Sequence, residues 1–98
     1  MPHTKSAKKR LRQNKKRQAR NRAVKHTIKT FIRKVRAAVE AQNLEDADRY
    51  YRIAVKKIDK ASARRIIHPN KGRRLKSRLG KWLHALRQAV ASQTTEAS

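Results

Sequence analysis

A chain of 98 residues, of which 37% are hydrophobic and 36% charged, has room for one small domain with a modest core, which argues against an extensive ligand pocket. Lys and Arg outnumber Asp and Glu by 29 to 6, and a net charge of +23 predicts a polyanionic partner, most simply a nucleic acid backbone, with an acidic membrane surface as the alternative. The absence of Cys excludes disulfides and thiolate metal sites, and no run of about 18 apolar residues exists that could span a membrane.

The first predicted helix extends from residue 5 to about residue 41, after an irregular segment of residues 1–4. Its second half carries an apolar stripe with the alternating spacing of a core-facing helix. The stripe consists of Val24, Ile28, Phe31, Val35 and Ala38 or Val39. The equivalent positions nearer the N-terminus are Asn21, Arg17, Asn14, Arg10 and Ala7, which offer little to bury. We therefore expect residues 24–39 to join a core and residues 5–22, called the arm below, to project from it.

The arm belongs to a stretch with strong positive charge. Between Lys5 and Val39 the sequence has fifteen Lys and Arg residues and no acid. Like-charge neighbours one helical turn apart, such as Lys8 and Arg12, cost roughly 0.2–0.5 kcal/mol each, so the isolated arm should fray in water. A polyanion would cancel this repulsion and order the helix on binding. A solvated charge run or a localisation signal is the less favoured alternative.

The second predicted helix covers about residues 44–64 and differs in its charge. Its apolar positions are Leu44, Ala47, Tyr51, Ala54, Ile58 and Ala61. Four of the six acids lie here, and the pattern predicts the ion pairs Glu45 with Arg49 and Asp48 with Arg52. Charge that is neutralised within one helix is typical of a solvated face, so we expect this helix to be the least suited to RNA or DNA.

Two breaks separate the helices. At the first, Asn43 is expected either to close the first helix in the left-handed conformation or to cap the second, with Asp46 in capping-box position. At the second, Pro69 disfavours helical geometry at His68 and suits a first helical position. His68 is expected to pin this joint.

The third predicted helix covers about residues 69–91 and is followed by a disordered tail at residues 92–98. Its core stripe is Leu75, Leu79, Trp82, Leu86 and Ala89 or Val90, and a separate basic strip is formed by Lys71, Arg74, Arg78 and Lys81. Three amphipathic helices with short joints predict an all-α fold, a three-helix antiparallel bundle with a long basic N-terminal helical extension.

Enzymatic chemistry finds no support in the sequence. The four His residues have no metal-like spacing, and the chain lacks paired carboxylates, an activated nucleophile and a Gly-rich phosphate loop. We therefore predict no enzyme activity, no metal, no cofactor and no small-molecule substrate. Because Phe31 and Trp82 lie on core stripes, recognition of backbone and shape is favoured over the stacking of single-stranded bases.

Two sets of short sequences are similar to one known family. They are Lys5-Ser6-Ala7-Lys8-Lys9-Arg10, Arg12-Gln13-Asn14 and Lys34-Val35-Arg36 in the first helix, and Ile67-His68-Pro69-Asn70-Lys71 and Arg74-Leu75-Lys76-Ser77-Arg78-Leu79 around the third. Over about residues 3–90 the chain resembles ribosomal protein number twenty of the bacterial small subunit. The departures from the family pattern are Arg65, where Gly is usual, Pro69, where Lys is usual, and Gly72, where Ala is common.

The resemblance implies a three-helix protein of the cytoplasmic ribosome that binds 16S ribosomal RNA directly, stabilises its folded arrangement during assembly and performs no chemistry. No membrane partner is expected, because the sequence has no apolar run that could span one. The resemblance is also compatible with contacts to other small-subunit components. The RNA contacts that it implies are Lys5, Ser6, Lys8, Lys9, Arg10, Arg12, Gln13 and Asn14 on the arm, and His68, Asn70, Lys71, Arg74, Lys76, Ser77 and Arg78 near the second joint. Charge alone adds Lys16, Arg17, Arg20, Arg73 and Lys81 to the predicted interface.

Two other functions fit part of the same pattern. A DNA-compacting chromosomal protein would be served by the same charge and is the principal alternative. A membrane-active amphipathic peptide is disfavoured, because the most basic segment has no apolar face to insert.

Overall fold

The structure is a computed structural model that describes the backbone of residues 5–97 and the side chains of residues 5–92. Within these residues the chain forms three helices and no strand: α1 is Lys5–Glu40, α2 is Leu44–Ala63 and α3 is Pro69–Ala97. The predicted all-α fold with a long first helix is confirmed. The limits of α1 and α2 agree with the sequence pattern to within one residue, which is the usual uncertainty of helix ends.

The end of α3 departs from the prediction. The helix continues to Ala97 instead of ending near residue 91, so the predicted end is corrected. Residues 92–97 contain neither Pro nor Gly, the two residues that most strongly stop a helix, and their backbone therefore continues the pattern set before them. Disorder of this segment in solution stays a prediction. Residues 1–4, predicted to be irregular, and residue 98 lie outside the described residues.

The core forms where all three helices meet, with α2 between the other two. Its main cluster contains Ile28, Val35, Ala54, Ile58, Ala61, Ile67 and Leu79, and a second cluster contains Ala38, Ala47, Leu83 and Leu86. In α2 the buried residues Ala47, Ala54 and Ala61 recur every seven residues on one face, and each is at most 1% exposed. Small side chains at this seam allow close approach of the neighbouring helices, while Ile58 and Leu79 supply the bulk.

The arm extends beyond this core, as the apolar pattern predicted. Ile28 is the first fully buried side chain of α1, and every side chain of residues 5–22 is exposed except Ala7 and Asn21, which are half-buried. Leu11 is 48% exposed, so even the large apolar residue of the arm finds no partner in the core. The molecule is accordingly elongated, with extents of 75 × 21 × 16 Å.

Both joints use the same helix-ending turn. After α1, the N–H of Gln42 donates to Val39 O (3.1 Å) and the N–H of Asn43 donates to Ala38 O (2.9 Å). This is the Schellman pattern, and it requires a left-handed residue, here Gln42 with a φ of 57°. Asn43 itself is extended and caps α2 by accepting the N–H of Asp46 at 3.1 Å. Of the two predicted roles of Asn43, capping the second helix is therefore confirmed.

After α2, the N–H of Ile66 donates to Ala61 O (2.9 Å) and the N–H of Arg65 donates to Ser62 O (3.1 Å). The left-handed residue of this turn is Arg65, with a φ of 61°, at the position where the sequence departs from the family's usual Gly. The turn places Ile66 and Ile67 against the core, and α3 starts from it at Pro69.

Replacing Arg65 by Gly is expected to stabilise the bundle. The left-handed conformation costs a residue with a Cβ about 1 kcal/mol or more, and Gly avoids this cost. The extra freedom of Gly in the unfolded chain offsets part of the resulting stabilisation. We expect R65G to raise the free energy of unfolding by about 0.5 kcal/mol and the midpoint of thermal unfolding by roughly 2–4 °C. R64G is the matched control, since Arg64 has a φ of −86° and should lose stability; equal effects of the two variants would contradict this explanation.

The start of α3 lies close to α2. A Cβ atom at Gly72 would contact Oγ of Ser62 and lie 3.4 Å from Cγ2 of Ile58. The family's more common Ala would therefore require the Ser62 side chain to rotate. Gly72 also donates its N–H to His68 O at 3.1 Å, which closes the first turn of the helix.

Candidate nucleic-acid interface

The arm presents its polar side chains to solvent. The predicted contacts on it, all of them exposed, are Lys5, Ser6, Lys8, Lys9, Arg10, Arg12, Gln13, Asn14, Lys16, Arg17 and Arg20. Among the side chains that the structure describes, no Lys or Arg of the arm forms a salt bridge. The positive charge of the arm is therefore available to an external anion.

These charges surround the helix axis. Successive residues of an α-helix are rotated by about 100°, so Lys8, Lys9 and Arg10 point in three different directions. A flat anionic surface could engage only one side of such a helix. The arrangement suits a partner whose phosphates approach from several sides, which a folded RNA provides.

A second basic surface lies on α3. Arg73, Arg74, Ser77, Arg78 and Lys81 line one shallow depression of about 440 Å³. Their spacing brings them together, because residues three and four apart lie on adjacent turns of one helix face. All five are exposed, as is Lys71. This surface and the arm are carried by different helices and can meet different segments of one partner.

Three of the residues predicted near the second joint have partners within the protein. Nζ of Lys76 lies 2.8 Å from Oδ1 of Asp59 on α2, and Lys76 is half-buried, so its charge is partly neutralised. The N–H of Asn70 donates to Nδ1 of His68 at 3.1 Å. This bond supports the first turn of α3, while a role of His68 in pinning the joint between α2 and α3 stays a prediction. Lys76 and His68 thus have structural roles whatever else they contact.

The structure adds Arg64, which was not among the residues predicted from the sequence, to the candidate interface. A groove of about 540 Å³ lies where the arm enters the bundle, lined by Arg64 and Ile66 at the end of α2 and by a set of α1 residues, Gln13, Lys16, Arg17, Arg20, Asn21 and Val24. The turn after α2 places Arg64 opposite the arm, although the two are more than forty residues apart in sequence. The sequence offered one indication of this, because the stretch without Asp or Glu begins at Lys60 and so includes Arg64 as well as the residues after His68.

The other end of the bundle is electrically balanced. The ion pairs there are Arg36 with Glu40 (3.3 Å), Arg49 with Asp46 (3.1 Å), Arg52 with Asp48 (3.1 Å) and Arg87 with Asp48 (3.0 Å). The predicted pair of Asp48 with Arg52 is confirmed, whereas Arg49 pairs with Asp46 instead of Glu45. Asp46 is held in place by Asn43, whose Nδ2 donates to Oδ2 of Asp46 at 2.9 Å. The structure therefore separates a neutralised end from a basic arm.

The aromatic rings near this end are occupied by the protein's own cations. Nζ of Lys34 lies 5.1 Å from the ring centre of Phe31 and 5.5 Å from that of Tyr50, while Lys57 covers Phe31 at 5.4 Å and Arg49 covers Tyr50 at 5.1 Å. Such cation–π contacts stabilise the packing of α1 on α2. They leave these ring faces poorly placed to stack on a base.

Within residues 5–92 no three side chains of His, Asp or Glu converge as metal ligands would. None of the three helices, over the range described, combines the length and the apolar character needed to cross a membrane.

Comparison with known proteins identifies relatives from a single family. Residues 2–84 match the family model described as ribosomal protein S20. The chain is similar to the small ribosomal subunit protein bS20 of Thermobifida fusca, with 47% identity over 92 residues that cover 94% of this chain and 100% of that protein. It is also similar to the proteins of the same name from Rhodopirellula baltica, with 51% identity over 81% of this chain and 88% of that protein, and from Geobacter sulfurreducens, with 44% identity over 88% and 99%.

Proposed function

Because the chain belongs to the ribosomal protein S20 family, we propose that it binds 16S ribosomal RNA directly and stabilises the folded arrangement of that RNA during assembly of the small subunit. As a member of this family it is a ribosomal protein of the small subunit, located in the cytoplasmic ribosome, and not an enzyme. The observation that carries the RNA-binding proposal is the arm, with its exposed cations on every side of one helix and no acid among them.

The proposed mechanism is electrostatic bracing of RNA. Segments of RNA that pack together bring their phosphates close and repel each other. Cations of the arm between such segments lower that repulsion and release counterions from the phosphates. The protein then binds the compact arrangement of the RNA more tightly than the open one, and this difference in affinity is what shifts the RNA toward its folded state.

Two surfaces share this work in the proposal. The arm is inserted among RNA segments, and the depression on α3 formed by Arg73, Arg74, Ser77, Arg78 and Lys81 contacts a further stretch of backbone. The neutralised end around Asp46 and Asp48 faces away from the RNA, because the negatively charged carboxylates would be repelled by the phosphates. The predicted interface residues on the arm and near the second joint are the proposed contacts.

Competition between RNA and DNA tests the proposal. The full-length chain is titrated with 16S ribosomal RNA at about 150 mM salt, where loose phosphate contacts are already weakened, in the presence of increasing duplex DNA of equal nucleotide concentration. We expect the RNA complex to persist with DNA in excess. Displacement by an equal amount of DNA would favour the DNA-compacting alternative instead.

A further inference from the structure

A small apolar groove continues the basic groove at the junction of arm and bundle. It has a volume of about 230 Å³, and its floor is formed by Val24 and Thr27 of α1 together with Ala61 and Ile66, with the exposed Ala23 at its edge. Val24, Arg64 and Ile66 line both grooves, so the two are continuous. One end of this combined groove is therefore basic and the other apolar.

The rim of the apolar part is basic as well. Lys57, Lys60 and Arg64 line its α2 side, and no Asp or Glu of the described residues lines either groove. An apolar partner without charge would gain nothing from this rim, and a bare phosphate would gain nothing from the floor. The groove fits a molecule that joins an apolar face to an anionic group.

The volume of the apolar groove limits which molecules can occupy it. Pockets for drug-sized ligands usually measure about 300–1,000 Å³, so the apolar part holds a fragment no larger than a base or a ribose. A nucleotide combines such a fragment with a phosphate on a neighbouring atom. Bases in bulges and loops of RNA are already unstacked and can be presented in this way.

We propose that the combined groove receives one unstacked nucleotide of the RNA, with its base on the floor around Val24 and Ile66 and its phosphates facing Arg20 and Arg64. This inference rests on the proposed RNA-binding function and specifies one contact within it. The base would be held by aliphatic side chains, which differs from stacking on Phe31 or Trp82.

Such a contact would fix the position of the arm along the RNA. A rod with cations on all sides can slide or rotate among phosphates with little change in energy, because phosphate contacts carry no sequence information. A groove that accepts one nucleotide allows a single register. The junction is suited to this role because it combines cations from two helices with a concave surface.

The test blocks the groove without altering its charge. In A23W the exposed Ala23 becomes a bulky residue at the edge of the floor, and in the control A37W the same change is made at Ala37, which is exposed on α1 and lines none of the grooves described here. Both variants are titrated with 16S ribosomal RNA over a range of salt concentrations, and circular dichroism checks that the bundle is folded.

We expect A23W to bind about tenfold more weakly, a loss of roughly 1.4 kcal/mol, with the slope of log K against log salt changed by less than one phosphate contact, about 0.9. A37W should bind within about twofold of the parent chain. Equal or tighter binding by A23W would overturn the groove proposal while leaving RNA binding by the arm intact. Failure of the parent chain itself to bind the RNA would instead overturn the proposed function, and the groove proposal with it.

Discussion

Replacing Lys8, Lys9, Arg10 and Arg12 by Ala is expected to weaken binding to 16S ribosomal RNA by about a thousandfold at physiological salt. Each neutralised phosphate adds about 0.9 to the slope of log K against log salt, which at 0.15 M corresponds to roughly 1 kcal/mol. Four lost contacts then amount to about 4 kcal/mol and lower the slope by about 3.6. Titrations at several salt concentrations measure both quantities.

The same substitutions should make the free arm more helical. Ala has the highest helix propensity, and the variant removes like-charge pairs such as Lys8 with Arg12. Circular dichroism of the free chain would then show more helix although RNA binding is weaker. A charge effect predicts these opposite changes, whereas damage to the fold would lower both.

A matched control removes the same amount of charge from the neutralised end. Arg36, Arg49, Arg52 and Arg87 all pair with acids and all are exposed. Replacing these four by Ala lowers the net charge equally and sacrifices surface ion pairs of modest value. We expect the salt slope to change by less than one phosphate contact, about 0.9. A slope that fell equally in both variants would show that total charge matters and the position of the arm does not.

The parts of the fold that the sequence predicted are those set by local periodicity. The stripe through Ile28 and Val35, and its absence before Val24, were sufficient to separate core from arm, because burial follows the helical period. The cap at Asn43 was also predictable, since Asp46 stands at the spacing that a capping box needs.

Contacts between distant parts of the chain were not predictable in this way. The position of Arg64 beside the arm depends on the turn at Arg65, where the sequence has no Gly to indicate a left-handed residue. The pairing of Lys76 with Asp59 depends on how α3 packs against α2. The sequence therefore predicted which surface is basic, but not where two helices combine to form a groove.

Replacing Leu79 by Ala is expected to have the largest effect on stability. Leu79 is 1% exposed and belongs to the main core cluster, and removal of such a side chain costs about 2.7–5 kcal/mol. A domain of this size has a total stability on the order of 5–10 kcal/mol, so a large part of it would be lost. Urea unfolding followed by circular dichroism measures the change.

The matched control is Leu11→Ala, since the same atoms are removed from a side chain that is 48% exposed on the arm. We expect its free energy of unfolding to stay within about 0.5 kcal/mol of the parent value. Equal losses in the two variants would contradict the division between core and arm. RNA binding also distinguishes L79A from the variant that replaces Lys8, Lys9, Arg10 and Arg12. Because L79A keeps every cation of the interface, its affinity for the RNA should fall only with the fraction of folded bundle. Its slope of log K against log salt should stay unchanged.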